Sequence, residues 1–169
     1  DRNNIGYQYT DCPLYWISVI YLNFAEAKAE MGSLTQSDLD NTINLLQKRA
    51  GLPAMTTTPD ADPANNMGVS NLIWEIRRCR RCELIMDNWY RYWDLIRWHQ
   101  LDKLDSTKYP NIMLGANVSN VPNCEEATKN GYIDASDAQI RTYEARQYLY
   151  PIPTTQLTLN KNMKQNPGW

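Results

Sequence analysis

The sequence predicts a mostly helical protein, built from paired helices and a long irregular segment. Three observations carry that expectation. Apolar residues recur at helical spacing through residues 13–31, 35–50 and 70–101. Glycine and proline punctuate the ends of those stretches. From about residue 102 to 147 the period fades into turn signals.

The first helix is read in "PLYWISVIYLNFAEAKAEM", where Leu14, Ile17, Val19 or Ile20, Phe24 and Ala27 share one face. Pro13 suits its first turn and Gly32 its stop. A second helix starts near Thr35 in "SLTQSDLDNTINLLQKRAGLP", with Asp38 as the reciprocal partner of a capping box. Its stripe is Leu39, Ile43, Leu46 and Ala50, and Gly51 and Pro53 end it. So short a connection predicts an antiparallel hairpin over about 13–50.

Residues 54–68 read as a polar loop. Ser70 is the expected cap of a third helix whose face is Leu72, Ile76, Cys79, Cys82 and Met86. Arg77, Arg78, Arg80 and Arg81 are expected off that face, paired with Glu75, Glu83 and Asp87. A fourth helix is expected over Tyr90–Leu101, with Trp93, Ile96 or Arg97, and Leu101 inward. The second hairpin thus covers about 70–101. In the irregular region, Asn130-Gly131-Tyr132 and Lys108-Tyr109-Pro110-Asn111 are turn signals. Short strands are expected at Ile112–Leu114 and Tyr132–Ile133. Asp134 and Asp137 are expected to cap or start a helix in "ASDAQIRTYEARQY".

The last segment, about 148–169, opens with an extended piece at Tyr148–Tyr150, which Pro151 and Pro153 stop. Thr154 or Thr155 is the expected cap of a final turn through Leu159. The close, "QNPGW", puts a fixed φ, a flexible residue and a large indole in a row. Chain ends fray unless tied down, and this one looks built to be tied down.

Both hairpins read as tetratricopeptide-type units, which bury their faces only by stacking on neighbours. Two such units fall short of a stable solenoid. The opening "DRNNIGYQYTDCP" reads as mid-protein loop, so further polypeptide is expected before Asp1.

Composition narrows the function. The chain has 169 residues, with 17 basic and 19 acidic side chains and a formal net charge of -2. That balance gives no global field for nucleic acid or an anionic membrane surface. No apolar run reaches the ~20 residues a membrane helix needs. Six Trp and eleven Tyr stand against one Phe. Such rings join an apolar face to a polar edge, which suits packed interfaces and surfaces that meet sugars or proteins.

Residues that carry chemistry are sparse. His99 is the one histidine; its place at a helix end reads as a terminal cation or surface residue rather than a general base. No phosphate loop or nucleophile elbow is present. The acid pairs Asp38/Asp40, Glu125/Glu126 and Asp134/Asp137 read as caps and solvated acids. Cys79-x-x-Cys82 admits three readings: small apolar residues on one helix face, a disulfide, or part of a metal site with Cys12 and Cys124. No cofactor, metal or catalytic residue is expected. Asn117-Val118-Ser119 is a glycosylation sequon by letter only. Candidate aromatic platforms for a sugar are Trp74, Trp89, Tyr90, Tyr92, Trp93 and Tyr109. Of these Tyr109 and Trp89 are favoured as exposed, while Trp93 and Trp98 read as packing residues.

Five pieces occur in order: "YWISVIYLNFAEAKAEMG", "INLLQKRAGLP", "IRRCRRCELIMDNWYRYWDLIRW", "YLYPIP" and "QNPGW". Together they resemble the C-terminal part of the SusD/RagB family of outer-membrane nutrient-binding lipoproteins. The resemblance runs over nearly the whole chain and is weakest over 102–147. The chain departs from the family's pattern at Cys79-Arg80, where a Glu-Arg pair is usual, and at Asp87-Asn88.

The resemblance implies a tetratricopeptide-like body whose end segment packs back on it, with Trp169 as an anchor. It also implies non-catalytic binding of oligosaccharide or polysaccharide at the surface of Bacteroidetes-type cells. The partner it implies is a SusC-like TonB-dependent transporter in the outer membrane. The anchor it implies is a lipidated N-terminal Cys, which none of the four cysteines here matches in position. It assigns no ligand-binding residue in this stretch. Two other readings stay open from the residues alone: a stand-alone helical-repeat interaction module, and a carbohydrate-active enzyme using acids of the irregular region.

Overall fold

The computed structural model describes residues 15–87, 90–122, 128–134, 136 and 139–169. The chain divides into two compact units, Asp1–Arg91 and Tyr92–Trp169. It is mostly helical, as its sequence predicts.

The first unit holds α1 (Ile17–Glu30), α2 (Gln36–Asp40), α3 (Ile43–Arg49) and α4 (Asn71–Glu83). Its core is Leu22, Ala25, Leu39, Ile43, Leu46, Met55, Ile76 and Leu84. Full burial of a Leu or Ile side chain contributes about 1.5–3 kcal/mol, so Leu22, Leu39, Ile43 and Ile76 carry much of the unit's stability.

The helix ends follow the local chemistry. Thr35 and Asp38 form the expected capping box: the Asp38 amide donates to Thr35 Oγ1 at 3.2 Å and the Thr35 amide to Asp38 Oδ2 at 2.9 Å. Ser70 Oγ caps α4 by accepting from the Ile73 amide. Gly32 and Gly51 take positive φ, 66° and 69°, and close α1 and α3 with the reversed bonds of a left-handed cap.

Several expectations change. The second helix is not continuous, because it breaks at Asn41–Thr42 into α2 and α3. There Asn41 Nδ2 donates to the Ser37 carbonyl at 2.8 Å and Thr42 Oγ1 to the Asp38 carbonyl at 2.6 Å. The Asp38 carbonyl thus takes the Thr42 hydroxyl in place of the Thr42 amide, which turns to the Leu39 carbonyl at 3.1 Å. Pro13 and Leu14 lie outside the described residues. Of the rest of the α1 stripe Val19 packs against the core as expected, but the stripe is otherwise displaced: Ser18, Leu22, Ala25 and Glu26 are buried, while Ile17, Ile20 and Phe24 are exposed.

The reason lies on α4. Arg77 donates to Glu26 at 3.0 Å and to Glu30 at 3.1 Å, and Arg80 donates to Asn23 at 2.8 Å. Glu26 is only 3% exposed and Arg80 only 4%. Both arginines therefore sit on the buried side of α4, not off it. A buried charge is tolerated when paired and hydrogen-bonded, and here the pairing chooses which face turns in. Arg78 does pair with Glu75, whereas Glu83 pairs with Arg49 of α3. Cys82 and Met86 are exposed, and Leu84 takes the core place expected of them.

The α3–α4 loop is held by side-chain amides. Asn44 Nδ2 donates to the Met55 carbonyl at 3.0 Å, and the Met55 amide donates to Asn44 Oδ1 at 2.7 Å. Trp74 Nε1 donates to Asp62 at 3.0 Å further along the same loop.

α5 (Tyr90–Arg97) leads into the second unit. It stops before Leu101 because His99 takes φ 52° and makes a left-handed cap, with the Gln100 amide donating to the Leu95 carbonyl at 2.7 Å. Trp98 and Leu101 are buried as expected, but Trp93 is 54% exposed, and Asp94 and Leu95 face inward instead.

A small antiparallel sheet follows, in the order β1 (Leu114–Asn117), β3 (Tyr132–Asp134), β2 (Thr128–Lys129). Asn130 and Gly131 both take positive φ and make the turn between β2 and β3. Pro110–Met113 is a 3₁₀ turn, so the first strand begins only at Leu114. No helix starts at Asp134: its carboxylate accepts from the Ser136 amide and hydroxyl, and residues 139–144 are irregular. Asp137 lies outside the described residues.

A 3₁₀ turn at Ala145–Tyr148 precedes the extended Leu149, so Tyr148 is not part of the extended piece. The last helix, α6 (Thr154–Leu159), has Pro153 at its cap position, and Thr154 is its first residue rather than its cap.

Candidate functional site

The C-terminal unit encloses an aromatic hollow of about 410 Å³. This is within the ~300–1,000 Å³ of small-ligand clefts. Its wall joins Tyr92 of α5, Leu101 and Leu104 of the next turn, Arg141–Tyr143 of the irregular stretch, and Gln147, Leu149, Tyr150 and Trp169.

Each wall is fixed by backbone chemistry. Ser106 and Arg141 clamp one another: the Ser106 amide donates to the Arg141 carbonyl at 2.9 Å and the Arg141 amide to Ser106 Oγ at 3.0 Å. Buried Asp105 accepts from the Thr107 amide and hydroxyl and from the Tyr143 amide at 3.3 Å. The Thr107 hydroxyl above all holds the Asp105 carboxyl below its usual range. Tyr148 accepts from the Leu101 amide at 3.0 Å and lies against the His99 ring, with centroids 4.7 Å apart.

Trp169 is anchored, as the resemblance implies. Its Nε1 donates to the Leu149 carbonyl at 2.8 Å and to the Arg146 carbonyl at 3.2 Å. The Arg146 guanidinium lies 4.7 Å from the ring centroid. Gly168 takes φ 85°, and a Cβ there would stand 2.9 Å from the Arg146 Cβ. Gln165 pairs with Ile152 in both directions, at 2.8 and 2.9 Å. The end of the chain is thus tied to the 146–152 segment of its own unit.

Tyr143 and Tyr92 are neutral donors at neutral pH. Partial burial, with a hydrogen bond to Tyr148, pushes Tyr143 up to about 12. The Tyr150 hydroxyl, 3.5 Å away, raises Tyr92. Flat rings offer a face to the C–H side of a pyranose, and the phenols, the Gln147 amide and the Arg141 guanidinium offer hydrogen bonds to hydroxyls.

Of the sequence's candidate platforms among the described residues, only Tyr92 lines this hollow. Trp74 is tied to Asp62, Tyr90 packs on the first core beside Arg80, and Tyr109 is half-buried beside Lys103. Trp93 is exposed, and Trp89 lies outside the described residues. Tyr143, Tyr150 and Trp169 were not read as platforms; aromatic content at 143–150 was the available signal.

Other candidates resolve as structural. Asp38 caps α2 and binds Lys28 at 2.8 Å, and Asp40 accepts from Gln36 and Asn44. Cys79 and Cys82 are free thiols, with Cys79 half-buried and Cys82 exposed. Burial first, and Glu83 next, push the Cys79 thiol up to about 11. Glu125, Glu126, Cys12 and Cys124 lie outside the described residues. Among the described residues no group of three or more His, Cys, Asp or Glu is placed to hold a metal ion. Among them no helix is long and apolar enough to cross a membrane.

A helical unit, a small sheet and a pinned aromatic C-terminal segment define the class, and comparison supplies the family. The SusD family model matches residues 1–169, and the chain belongs to that family. A SusD-like protein from Bacteroides fragilis NCTC 9343 is 26% identical, with a TM-score of 0.60 over 90% of this chain. Selenomethionine BT4246 is 30% identical, with a TM-score of 0.59 over 95% of this chain. This chain spans only about a quarter of either structure, 25% in both cases. No curated protein matches the sequence.

Proposed function

We propose that this chain is the C-terminal portion of a surface protein that binds oligosaccharide or polysaccharide for nutrient uptake without chemically altering it. The observation that carries this reading is the SusD family match across residues 1–169. The aromatic hollow adds a place where a sugar ring fits, on a wall of rings with hydrogen-bonding edges. The finer reading is that a lipid-anchored parent protein hands the glycan to a SusC-like TonB-dependent transporter in the outer membrane.

The parent polypeptide also supplies a partner for this stretch. Ile17, Ile20, Phe24 and Met31 form an exposed apolar stripe on α1. Such a stripe at helical spacing fits a neighbouring helical layer. This chain spans about a quarter of each of the two solved structures above, so a parent of similar length would have ample polypeptide to cover the stripe.

The test is gel retardation of the full-length protein in a panel of soluble polysaccharides. Retardation by at least one, weakened by Tyr150→Ala, is expected. Migration unaffected by every polysaccharide would remove the proposal.

A further inference from the structure

We propose that the C-terminal hollow selects an acidic pyranose, with the Arg141 guanidinium taking the sugar's anionic group and an aromatic ring taking its C–H face. This rests on the glycan-binding reading above and deepens it to a substrate class.

The charge of the wall carries the inference. Among the described residues that line the hollow, Arg141 has the one charged side chain, and none of the others is Asp or Glu. Neutral sugars are met equally well by amides, hydroxyls and carboxylates. A wall whose one charged side chain is a guanidinium favours an anion over a neutral ring. Asp102 influences Tyr143 but is not part of the wall, and Asp105 is occupied by Thr107 and the Tyr143 amide. Arg146, over the Trp169 ring, is already paired with Glu144 at 2.9 Å.

The wall is also pre-organised. Two bonds fix the backbone of the arginine: the Ser106 amide donates to its carbonyl, and its amide donates to Ser106 Oγ. Trp169 has its indole N–H bonded to two carbonyls and a guanidinium laid on its ring, so its orientation is set before any ligand arrives. Tyr92 and Tyr150 meet hydroxyl to hydroxyl beside it. A fixed ring and a planar fork recognise a flat C–H face and a carboxylate or sulfate together, at low ordering cost.

The acidic group is either a carboxylate or a sulfate ester, and matched polymers separate the two. Isothermal titration of the full-length protein would use polygalacturonate against its methyl ester, and dextran sulfate against dextran. At least one charged polymer is expected to bind about tenfold more tightly than its neutral partner, in the range set by one charge-assisted hydrogen bond. Arg141→Gln should erase that difference. Arg81→Gln, an exposed arginine of the other unit, should leave it intact. Equal binding of charged and neutral partners, a preference that survives Arg141→Gln, or an equal loss with Arg81→Gln would overturn the acidic selectivity. If neutral polysaccharides alone bind, the acidic inference falls while the glycan-binding reading stands. If nothing in either set or in the wider panel binds, both fall.

Discussion

The indole of Trp169 donates its N–H to the Leu149 carbonyl at 2.8 Å, and so the last residue of the sequence holds the wall of the hollow in place. The residue is 46% exposed, so it is partly packed and partly open to solvent. Trp169→Ala removes this bond, the second bond to Arg146 and the guanidinium contact. The expected loss is about 2 kcal/mol, with Trp169→Phe in between. Hydrogen exchange at the amides of 146–152 should rise most. Unchanged protection there would show that the indole does not hold the segment.

Asn44 acts by the same device inside the first unit. Its amide meets both backbone groups of Met55, and both residues are buried. Asn44→Leu leaves a buried N–H without this acceptor. A loss of about 2–3 kcal/mol is expected from thermal or urea unfolding, because unmet buried polar groups cost more than met ones return. A loss below about 0.5 kcal/mol would mean the loop finds other partners.

Asp38 sets an acid-side limit. Lys28 above all, then the Thr35 hydroxyl and amide, lower its carboxyl from 3.8 to about 2. A folded-state value below the unfolded one adds stability that is complete above about 4 and fades as pH falls through about 2. Lys28→Met should move the Asp38 titration upward in carboxyl NMR and shift the onset of acid unfolding to higher pH. An unmoved titration would contradict the ion pair.

The two thiols should behave differently. Cys79 is held protonated by burial, whereas Cys82 is exposed. Alkylation near pH 8 should therefore label Cys82 readily and Cys79 at least about tenfold more slowly, as read by mass spectrometry. Equal rates would show that α4 opens at this point.

Local chemistry made part of this structure legible in advance. Thr35 with Asp38, Ser70, Gly32 and Gly51 mark helix ends through bonds made within a few residues, so sequence suffices for them. The buried face of α1 was not legible. Ile17, Ile20 and Phe24 are more apolar than Ser18 and Glu26, yet Glu26 turns inward because Arg77, 51 residues later, meets it there. Hydrophobic period cannot register a pair so distant. The break at Thr42 was missed because side-chain competition for carbonyls leaves no mark on apolar spacing.

The hollow lies beyond sequence reading for a related reason. Tyr92, Arg141, Tyr150 and Trp169 are spread over the last 78 residues and meet only through the Ser106–Arg141 clamp and the folded-back terminus. The closing "QNPGW" did announce an anchor. What it anchors to, the carbonyls of Arg146 and Leu149, needed coordinates.

The most direct test of non-destructive glycan capture is the count of reducing ends in a polysaccharide that retards the full-length protein. Incubation should leave that count unchanged while the complex persists. A steady rise in reducing ends would replace the binding protein with an enzyme.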